Sequence, residues 1–234
     1  MPTIRNLILA SALLALPACG EVAEDGFTPI FNGTDLTGWR VVNGQADFSV
    51  ENGEIVGRGE NLRQNSFLRT ERTYGDFDFR FEFKFDDLTG NSGLMFRAEQ
   101  RDGGTGRVFG YQCEHCNNTQ RAWTSGIFDE ARRGWLVPYR DDNKKPYTEE
   151  EKAAHTAARE AFTEQIQRLM KWDEWNDFRI LAQGRRIQIW FNGEQTVDFT
   201  DDGEEFTPEG FFGLQVHSGK SCNVRWRNLR IKEL

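Results

Sequence analysis

The sequence has 234 residues, with 29 Lys and Arg against 37 Asp and Glu, and a formal net charge of −8. This acidic balance argues against nucleic acid and against an anionic membrane surface as partners. A mean hydropathy of −0.67 together with 19 Phe and 7 Trp indicates a solvated exterior around an aromatic core. The length fits one large β domain.

The first residues have the features of an export signal. Arg5 precedes an uncharged run at residues 7–16, LILASALLAL, which is too short to span a bilayer. The run ends in LPAC at residues 16–19, which resembles the lipobox of bacterial lipoproteins. In that motif the Cys becomes the acylated first residue after cleavage.

We therefore expect a signal peptide at 1–18, a lipidated Cys19 with a tether to residue 26, and a mature domain at 27–234. The protein would then be exported to the bacterial cell envelope and would touch the membrane only through its lipid. A plain signal cleaved near Ala18, with Cys19 an ordinary thiol, is the alternative.

Period-two patterning predicts strands along most of the mature chain. Its clearest case is FDFRFEFKF at residues 77–85, where five Phe alternate with four charged residues. Asn52-Gly53 and Asn192-Gly193 stand between apolar flanks and predict hairpin turns. Many antiparallel strands separated by such turns are typical of a two-sheet sandwich or jelly roll.

One stretch, residues 148–171, has helical spacing instead. Thr148 and Glu151 form a capping-box pattern at its start. Its apolar positions then recur every three or four residues: Ala154, Ala158, Phe162, Ile166 and Leu169. We predict one amphipathic helix inserted between strands. It either covers the sandwich from outside or forms a wall of a binding cleft.

Without Cys19, three cysteines remain: Cys113, Cys116 and Cys222. In an oxidising compartment we expect a disulfide from Cys113 or Cys116 to Cys222, with one thiol left over. The cluster CEHC at residues 113–116 looks like a metal signature, but it lacks a second ligand pair at zinc-site spacing.

Strand alternation also groups the polar residues that could carry chemistry. It puts Gln112 and Glu114 on one face of their strand, and Gln215 and His217 on one face of another. Arg97 alternates against apolar neighbours and is expected to leave the core. Arg97 and Glu114 could simply be a cross-strand ion pair, and His217 an exposed strand histidine.

A rim is predicted where one strand ends in IFDEARR at residues 127–133. Asp129 and Glu130 are followed there by two arginines, which could also satisfy these acids as ordinary loop charges. Trp123 and Trp135 lie nearby in sequence and are candidate platforms for stacking on a ligand.

Several segments, taken in order, resemble the 3-keto-disaccharide hydrolase domain family over essentially all of residues 27–234. They are FNGTDLTGW at 31–39, NSGLMFR at 91–97, GYQCE at 110–114, EWN at 174–176, WFNG at 190–193, GLQVH at 213–217 and RNLRIKEL at 227–234. The resemblance implies a concanavalin-like jelly roll that acts on sugars oxidised at C3. The inserted helix and Cys113, His115 and Cys116 depart from the family pattern.

A C3 ketone acidifies the C2 hydrogen, so the resemblance implies cleavage by elimination. His217 or Glu114 would be the base, Arg97 would stabilise the enolate, and Asp129 or Glu130 would assist the leaving group. Substrate contacts would come from a further set of residues: Gln112, Gln215, Glu130, Trp123 and Trp135.

No cofactor is evident from the sequence, although Glu114 and His217 could hold a divalent ion in place of Arg97. Two alternatives remain open. A conventional glycosidase would use two carboxylates, for which Glu114 and Asp129 are candidates. A noncatalytic carbohydrate-binding module would bind sugar and cleave nothing.

Overall fold

The computed structural model describes residues 26–86, 90–140 and 147–234. The predicted signal peptide and Cys19 lie outside the described residues. The elements are β1 (Thr28–Pro29), β2 (Trp39–Val42), β3 (Asp47–Glu51), β4 (Glu54–Leu62), β5 (Ser66–Thr70), β6 (Phe77–Phe85), β7 (Asn91–Gln100), α1 (Arg101–Gly104), β8 (Val108–Cys116), β9 (Ile127–Glu130), β10 (Gly134–Val137), α2 (Glu149–Leu169), β11 (Asn176–Gln183), β12 (Arg186–Phe191), β13 (Glu194–Thr200), β14 (Phe211–Val216) and β15 (Gly219–Glu233). Within these ranges, no helix has both the length and the apolar character needed to cross a membrane.

The strands form two antiparallel sheets, which confirms the predicted jelly-roll sandwich. The first sheet has the order β13-β12-β11-β6-β15-β4-β3, with β1 paired to β15. The second has the order β10-β9-β8-β7-β14-β5-β2. Because β8, β7 and β14 are neighbours in the second sheet, segments far apart in sequence share one face.

The core lies between the sheets and is largely aromatic. All five Phe of β6 are at most 4% exposed, as the alternation predicts. Phe79 stacks on Phe212 of the other sheet, with ring centroids 4.3 Å apart. Each buried Phe contributes about 1.5–3 kcal/mol relative to an exposed one, so this strand alone supplies a large share of the apolar stabilisation.

Both predicted hairpin turns are present. Asn52 and Gly53 connect β3 to β4 with φ of 54° and 80°, and Asn192 and Gly193 connect β12 to β13 with φ of 48° and 84°. Two consecutive positive φ angles define the turn whose twist matches that of the flanking strands, and Asn-Gly adopts it at low cost.

The predicted helix is also present, and its capping box is formed. The Glu151 amide donates to Thr148 Oγ1 at 3.1 Å, and the Thr148 amide donates to Glu151 Oε2 at 2.8 Å. Phe162 and Ile166 are buried, whereas Ala154 and Ala158 are exposed. The predicted alanines therefore do not bury the first turns of α2. Instead, the His155 ring packs on the Tyr139 ring, with centroids 4.7 Å apart.

The second half of α2 contacts the first sheet and the loop between β8 and β9 of the second, which agrees with a covering role. Arg168 pairs with Glu194 at the start of β13, with a shortest N to O distance of 2.7 Å. On the other side, Thr163 donates to the Arg121 carbonyl oxygen at 2.9 Å. The helix thus holds the loop that follows β8 in place.

The predicted disulfide is wrong: Cys113, Cys116 and Cys222 are all free and buried. Cys113 points into the core, where burial raises the pKa of its thiol well above the ordinary value. The Cys222 thiol donates instead to the Asn91 carbonyl oxygen at 3.1 Å. A cysteine count cannot reveal these separate surroundings.

Candidate active site

The candidate site lies on the outer face of the second sheet, centred on β7. Gly93 of β7 pairs with Glu114 of β8 on one side and with Gln215 of β14 on the other. The register therefore places Glu114 and Gln215 in one row across the sheet, on the face that alternation gives each of them. Their chain neighbours Cys113, Leu214 and Val216 face the core.

Gly93 makes room for this row. A Cβ at position 93 would lie 2.6 Å from both Cγ and Cδ of Gln112. The Gln112 side chain therefore crosses β7 directly over Gly93, in the space that the side chain of any other residue at position 93 would occupy. Both Gln112 and Gln215 are nearly completely buried.

The buried amides form a directed chain of hydrogen bonds. Gln112 Nε2 donates to Glu114 Oε2 at 2.9 Å, and Gln215 Nε2 donates to Gln112 Oε1 at 2.8 Å. Gln215 Oε1 is buried and has no partner among the described residues. Because a buried acceptor is costly to leave unpaired, this oxygen is a candidate acceptor for a ligand hydroxyl.

Glu114 is 3% exposed and accepts three side-chain hydrogen bonds. Besides Gln112, Asn91 Nδ2 donates at 2.7 Å and Arg121 Nη2 at 3.3 Å, both to Oε1. Burial raises the pKa of Glu114 above its ordinary value, while Asn91 and the Arg121 charge act against that rise. The carboxyl group is therefore fixed in orientation and less acidic than an exposed one.

His217 lies beside this carboxyl group. Its Nδ1 is 2.6 Å from the Ser218 carbonyl oxygen. Because a carbonyl oxygen only accepts, the contact assigns the proton to Nδ1 and leaves the lone pair of the neutral ring on Nε2. The imidazole thus has one nitrogen available to take a proton.

Two adjoining cavities open over these residues. The central cavity, of about 400 Å³, is lined by Asn91, Gln112, Glu114, Arg121, Phe128, Glu130, Trp135, Arg140, Gln215 and His217. The outer cavity, of about 730 Å³, is lined by Asn43, Arg63, Gln64, Asn65, Thr105, Gly106, Arg107, Phe128, Glu130, His217 and Ser218. They share Phe128, Glu130 and His217 and so form one groove. Both volumes are typical of small-molecule sites.

Arg121 and Trp135 form one wall of the central cavity. The Arg121 guanidinium lies 5.3 Å from the ring centroids of both Trp123 and Trp135. Trp123 packs edge-on against Trp135 and donates from Nε1 to Thr163 Oγ1 of α2 at 3.1 Å. Trp135 lines the cavity, whereas Trp123 stands behind it, so only Trp135 is placed to contact a ligand.

The structure places Arg97 away from this site, against the sequence prediction. A β-bulge sets Phe96 and Arg97 together opposite Phe212, and Arg97 has a φ of 45°. The extra residue turns the Arg97 side chain inward, where none of it is exposed. It donates there to the Gly75 and Gly184 carbonyl oxygens and to Asp76. Arg97 therefore neither pairs with Glu114 nor lines the central cavity.

Asp129 is also turned away from the groove. It pairs with Tyr111 across β8 and β9 on the inner face, and both Arg132 and Arg133 form ion pairs with it. Glu130, the next residue, points the opposite way into both cavities and pairs with Arg107 at 2.7 Å. Of the two predicted rim acids, only Glu130 reaches the groove.

The site also contains residues that were not predicted as site residues, among them Asn91, Gly93 and Arg121. Asn91 and Gly93 belong to the NSGLMFR segment that carries the family resemblance, so a signal for them was present. Arg121 lies in the loop after β8, where no periodic pattern fixes the direction of a side chain.

The described residues contain no group of three or more His, Cys, Asp and Glu that could hold a metal ion. Glu114 and His217 do line the same cavity, but they are only two candidate ligands. His115, of the CEHC cluster, lies in the core with its ring 4.3 Å from Phe83, so this cluster does not form a metal site.

A jelly-roll sandwich with a polar groove across one sheet is an architecture that lectin-like and carbohydrate-active β proteins share with others. Among the proteins of this architecture, the chain belongs to the family of the 3-keto-alpha-glucoside-1,2-lyase-like domain, whose model matches residues 26–232. The resemblance predicted from sequence is thereby confirmed. Membership gives the chain a carbohydrate-related function.

Solved structures agree on the fold. A "putative glycosyl hydrolase" from Parabacteroides distasonis is 21% identical, with a TM-score of 0.56 over 89% of this chain and 94% of that one. A Bacillus subtilis protein of unknown function with a galectin-like fold is 13% identical, with a TM-score of 0.58 over 88% and 94%. No curated protein matches the chain in sequence.

Proposed function

We propose that this protein cleaves the glycosidic bond of 3-keto-glycosides by elimination in the central cavity. One observation carries the proposal: a buried, oriented Glu114 and the free Nε2 of His217 line the same cavity, next to the guanidinium of Arg121. The family description, which names a 1,2-lyase acting on 3-keto-glucosides, supports the same reaction.

The reaction begins at C2, whose hydrogen the adjacent C3 ketone acidifies. A base removes this proton, and the C2–H electron pair forms the enolate C2=C3–O⁻. The enolate then re-forms the C3 ketone, a C1=C2 double bond forms, and the C1–O bond breaks with its electrons on the leaving oxygen. That oxygen takes one proton. Addition of water across C1=C2 completes a net hydrolysis.

His217 fits the role of the base, because its Nε2 is unprotonated in the tautomer that the Ser218 carbonyl selects. His217 lines both cavities, so the proton taken from C2 can be passed to the leaving oxygen at their border. Glu114 would stabilise the imidazolium that exists between these two steps.

Arg121 takes the role that the sequence suggested for Arg97. It lines the central cavity, and the rings of Trp123 and Trp135 fix its position. A fixed cation lowers the energy of a developing enolate without having to reorganise. Glu130, ion-paired with Arg107, would accept hydrogen bonds from hydroxyl groups near the scissile bond.

Three variants test the proposal on release of the leaving group from a 3-keto-glucoside. Glu114→Gln, His217→Ala and Arg121→Gln should each lower kcat by roughly 10²-fold or more. Arg186→Gln, in the exposed pair with Asp198 on the other sheet, is the matched control and should leave kcat unchanged. Full activity in all three site variants would refute the proposed site.

A conventional glycosidase is the second candidate, because Glu114 and Glu130 line the same cavity. It predicts that an unoxidised glucoside is cleaved as fast as its 3-keto form. A noncatalytic binding module instead predicts sugar binding with no cleavage of either compound.

We further propose that the chain is an exported lipoprotein anchored through Cys19. The sequence LPAC at residues 16–19 supports this. Labelled palmitate should enter the parent protein and not the Cys19→Ser variant when both are expressed in a bacterium. Equal labelling of the two, or none in either, would contradict the anchor.

A further inference from the structure

The outer cavity adjoins the place where the scissile bond would lie. It shares Phe128, Glu130 and His217 with the central cavity, and its volume is about 730 Å³. A glycoside whose keto sugar occupies the central cavity would therefore place its leaving group in the outer one. The side chains lining that cavity decide which leaving groups fit.

Most neutral polar groups of the outer cavity already form hydrogen bonds within the protein. Asn43 donates to the Asn65 carbonyl oxygen at 2.8 Å and accepts from the Val108 amide at 3.1 Å. Asn65 Oδ1 accepts from the Ser218 amide at 2.9 Å, and the Thr105 hydroxyl donates to the Asp102 carbonyl oxygen at 2.9 Å. These groups shape the cavity more than they offer hydrogen bonds to a ligand.

The two guanidinium groups of the outer cavity have more donors that form no hydrogen bond within the described protein. Arg63 is exposed and has no ion pair or hydrogen bond with any of the described residues. Arg107 is 63% exposed along its side chain and uses Nη2 for Glu130. Among the residues that the structure describes, Glu130 is the one carboxylate that lines the cavity. The outer cavity thus carries two cations and one anion on a chain whose formal net charge is −8.

We propose that the outer cavity binds a leaving group that carries a carboxylate, such as a uronic acid, through Arg63 and Arg107. This inference rests on the proposed function, since it concerns the leaving group of that reaction. Guanidinium and carboxylate match each other in two parallel N–H to O bonds, a geometry that a neutral sugar cannot provide. The preference follows from a net positive cavity with uncommitted donors.

Binding of the leaving sugars alone tests the cavity independently of catalysis. Glucuronate and glucose would be titrated into the parent, Arg63→Gln and Arg186→Gln, with NMR shifts as the readout. Glucuronate should bind the parent about five-fold more tightly than glucose, and added salt should reduce this difference. Arg63→Gln should remove most of the difference in affinity between glucuronate and glucose, whereas Arg186→Gln should retain this difference. Equal affinities in the parent, or no binding of glucuronate, would overturn the inference.

Kinetics then link the cavity to the reaction. Two 3-keto-glucosides that differ only in having glucose or glucuronic acid as the leaving sugar would be compared by kcat/KM. The parent should favour the acidic substrate, and Arg63→Gln should narrow the ratio about five-fold. Cleavage of both substrates with no preference would refute the acidic leaving group and leave the proposed function standing. Selective binding of glucuronate with no cleavage of either substrate would refute the proposed function and leave the acidic specificity of the outer cavity standing.

Discussion

Gln112 lies across Gly93, so close that a Cβ at position 93 would be 2.6 Å from two of its side-chain carbons. Gln112 is also the link between Gln215 and Glu114. The absence of a side chain on one central strand therefore permits a hydrogen-bonded row that runs across three strands.

Gly93→Ala should displace Gln112 and break this row. Losing one or two buried hydrogen bonds costs about 1–3 kcal/mol, which corresponds to roughly 5- to 150-fold in kcat/KM on a 3-keto-glucoside. Gly213→Ala is the matched control, because its new Cβ would meet its nearest neighbour, Met95, at 3.4 Å. Equal activities of the two variants would mean that Gln112 has no part in catalysis.

Substitution of Arg97 should mainly lower stability, whereas substitution of Arg121 should mainly lower catalysis. Arg97→Met removes the Arg97 donors from the Asp76 carboxylate and from two carbonyl oxygens, so the free energy of unfolding should fall by about 3 kcal/mol. Its kcat per folded molecule should stay within a few-fold of the parent. Arg121→Gln should instead lower kcat with a smaller loss of stability. Denaturant titration measures the stability, and kinetics normalised to folded protein measure kcat. A large loss of kcat in Arg97→Met with little loss in Arg121→Gln would show that Arg97, and not Arg121, acts in catalysis.

Asp201 should stabilise the buried ion cluster on the inner side of β9. Burial acts to raise the pKa of Asp201, but hydrogen bonds from Arg133 and Tyr111 prevail and hold it at about 2. Because this value lies below that of an unfolded Asp, the contribution is complete above pH 3.8 and is lost as the pH falls through about 2. Asp201→Asn should cost about 2 kcal/mol at pH 7 in urea unfolding, because Arg133 loses this partner but keeps its ion pair with Asp129.

The exposed Asp198 provides the comparison for Asp201. Asp198 pairs with Arg186 at 2.6 Å on the solvated face of the first sheet. Exposed pairs contribute at most about 1 kcal/mol, so Asp198→Asn should change the free energy of unfolding little. A similar loss in the two variants would contradict the buried character assigned to Asp201.

His115 should make the fold sensitive to acid. Burial against Phe81, Phe83 and Phe178 lowers its pKa to about 3. An unfolded histidine takes up a proton near pH 6.5, so the stabilising difference is present above that pH and shrinks as the pH falls toward 3. The loss from this residue between pH 7 and pH 5 is about 2 kcal/mol.

The test compares the parent with His115→Leu by urea unfolding at several pH values. The variant should show a shallower decline in the free energy of unfolding between pH 7 and pH 5, whatever its absolute stability. Parallel curves for the two proteins would show that His115 is not the buried neutral group described above.

Alternation explains what the sequence could predict. Because regular strands alternate, the sequence predicts that Gln112 and Glu114 share a face of one strand, and that Gln215 and His217 share a face of another. The structure brings all four to one cavity. The same rule failed at Arg97, where a bulge adds a residue and reverses the direction of the side chain. A bulge leaves no reliable mark in a single sequence.

Other features needed the fold itself. Arg121 belongs to a loop whose path depends on α2, through the contact between Trp123 and Thr163. The cysteines could be counted, but the distances among them could not be obtained from a count. Helix α2 was predicted from its capping box, whereas the contacts of its first turns depend on Tyr139.

The most direct test is turnover of a 3-keto-glucoside in deuterated water, beside the same glucoside without the ketone. Elimination followed by addition of water predicts cleavage of the oxidised compound alone, with deuterium at C2 of the 3-keto-glucose product from the first turnovers. Free 3-keto-glucose in the same buffer corrects for spontaneous exchange. Cleavage of both compounds at similar rates, or product with no deuterium at C2, would contradict elimination at Glu114 and His217.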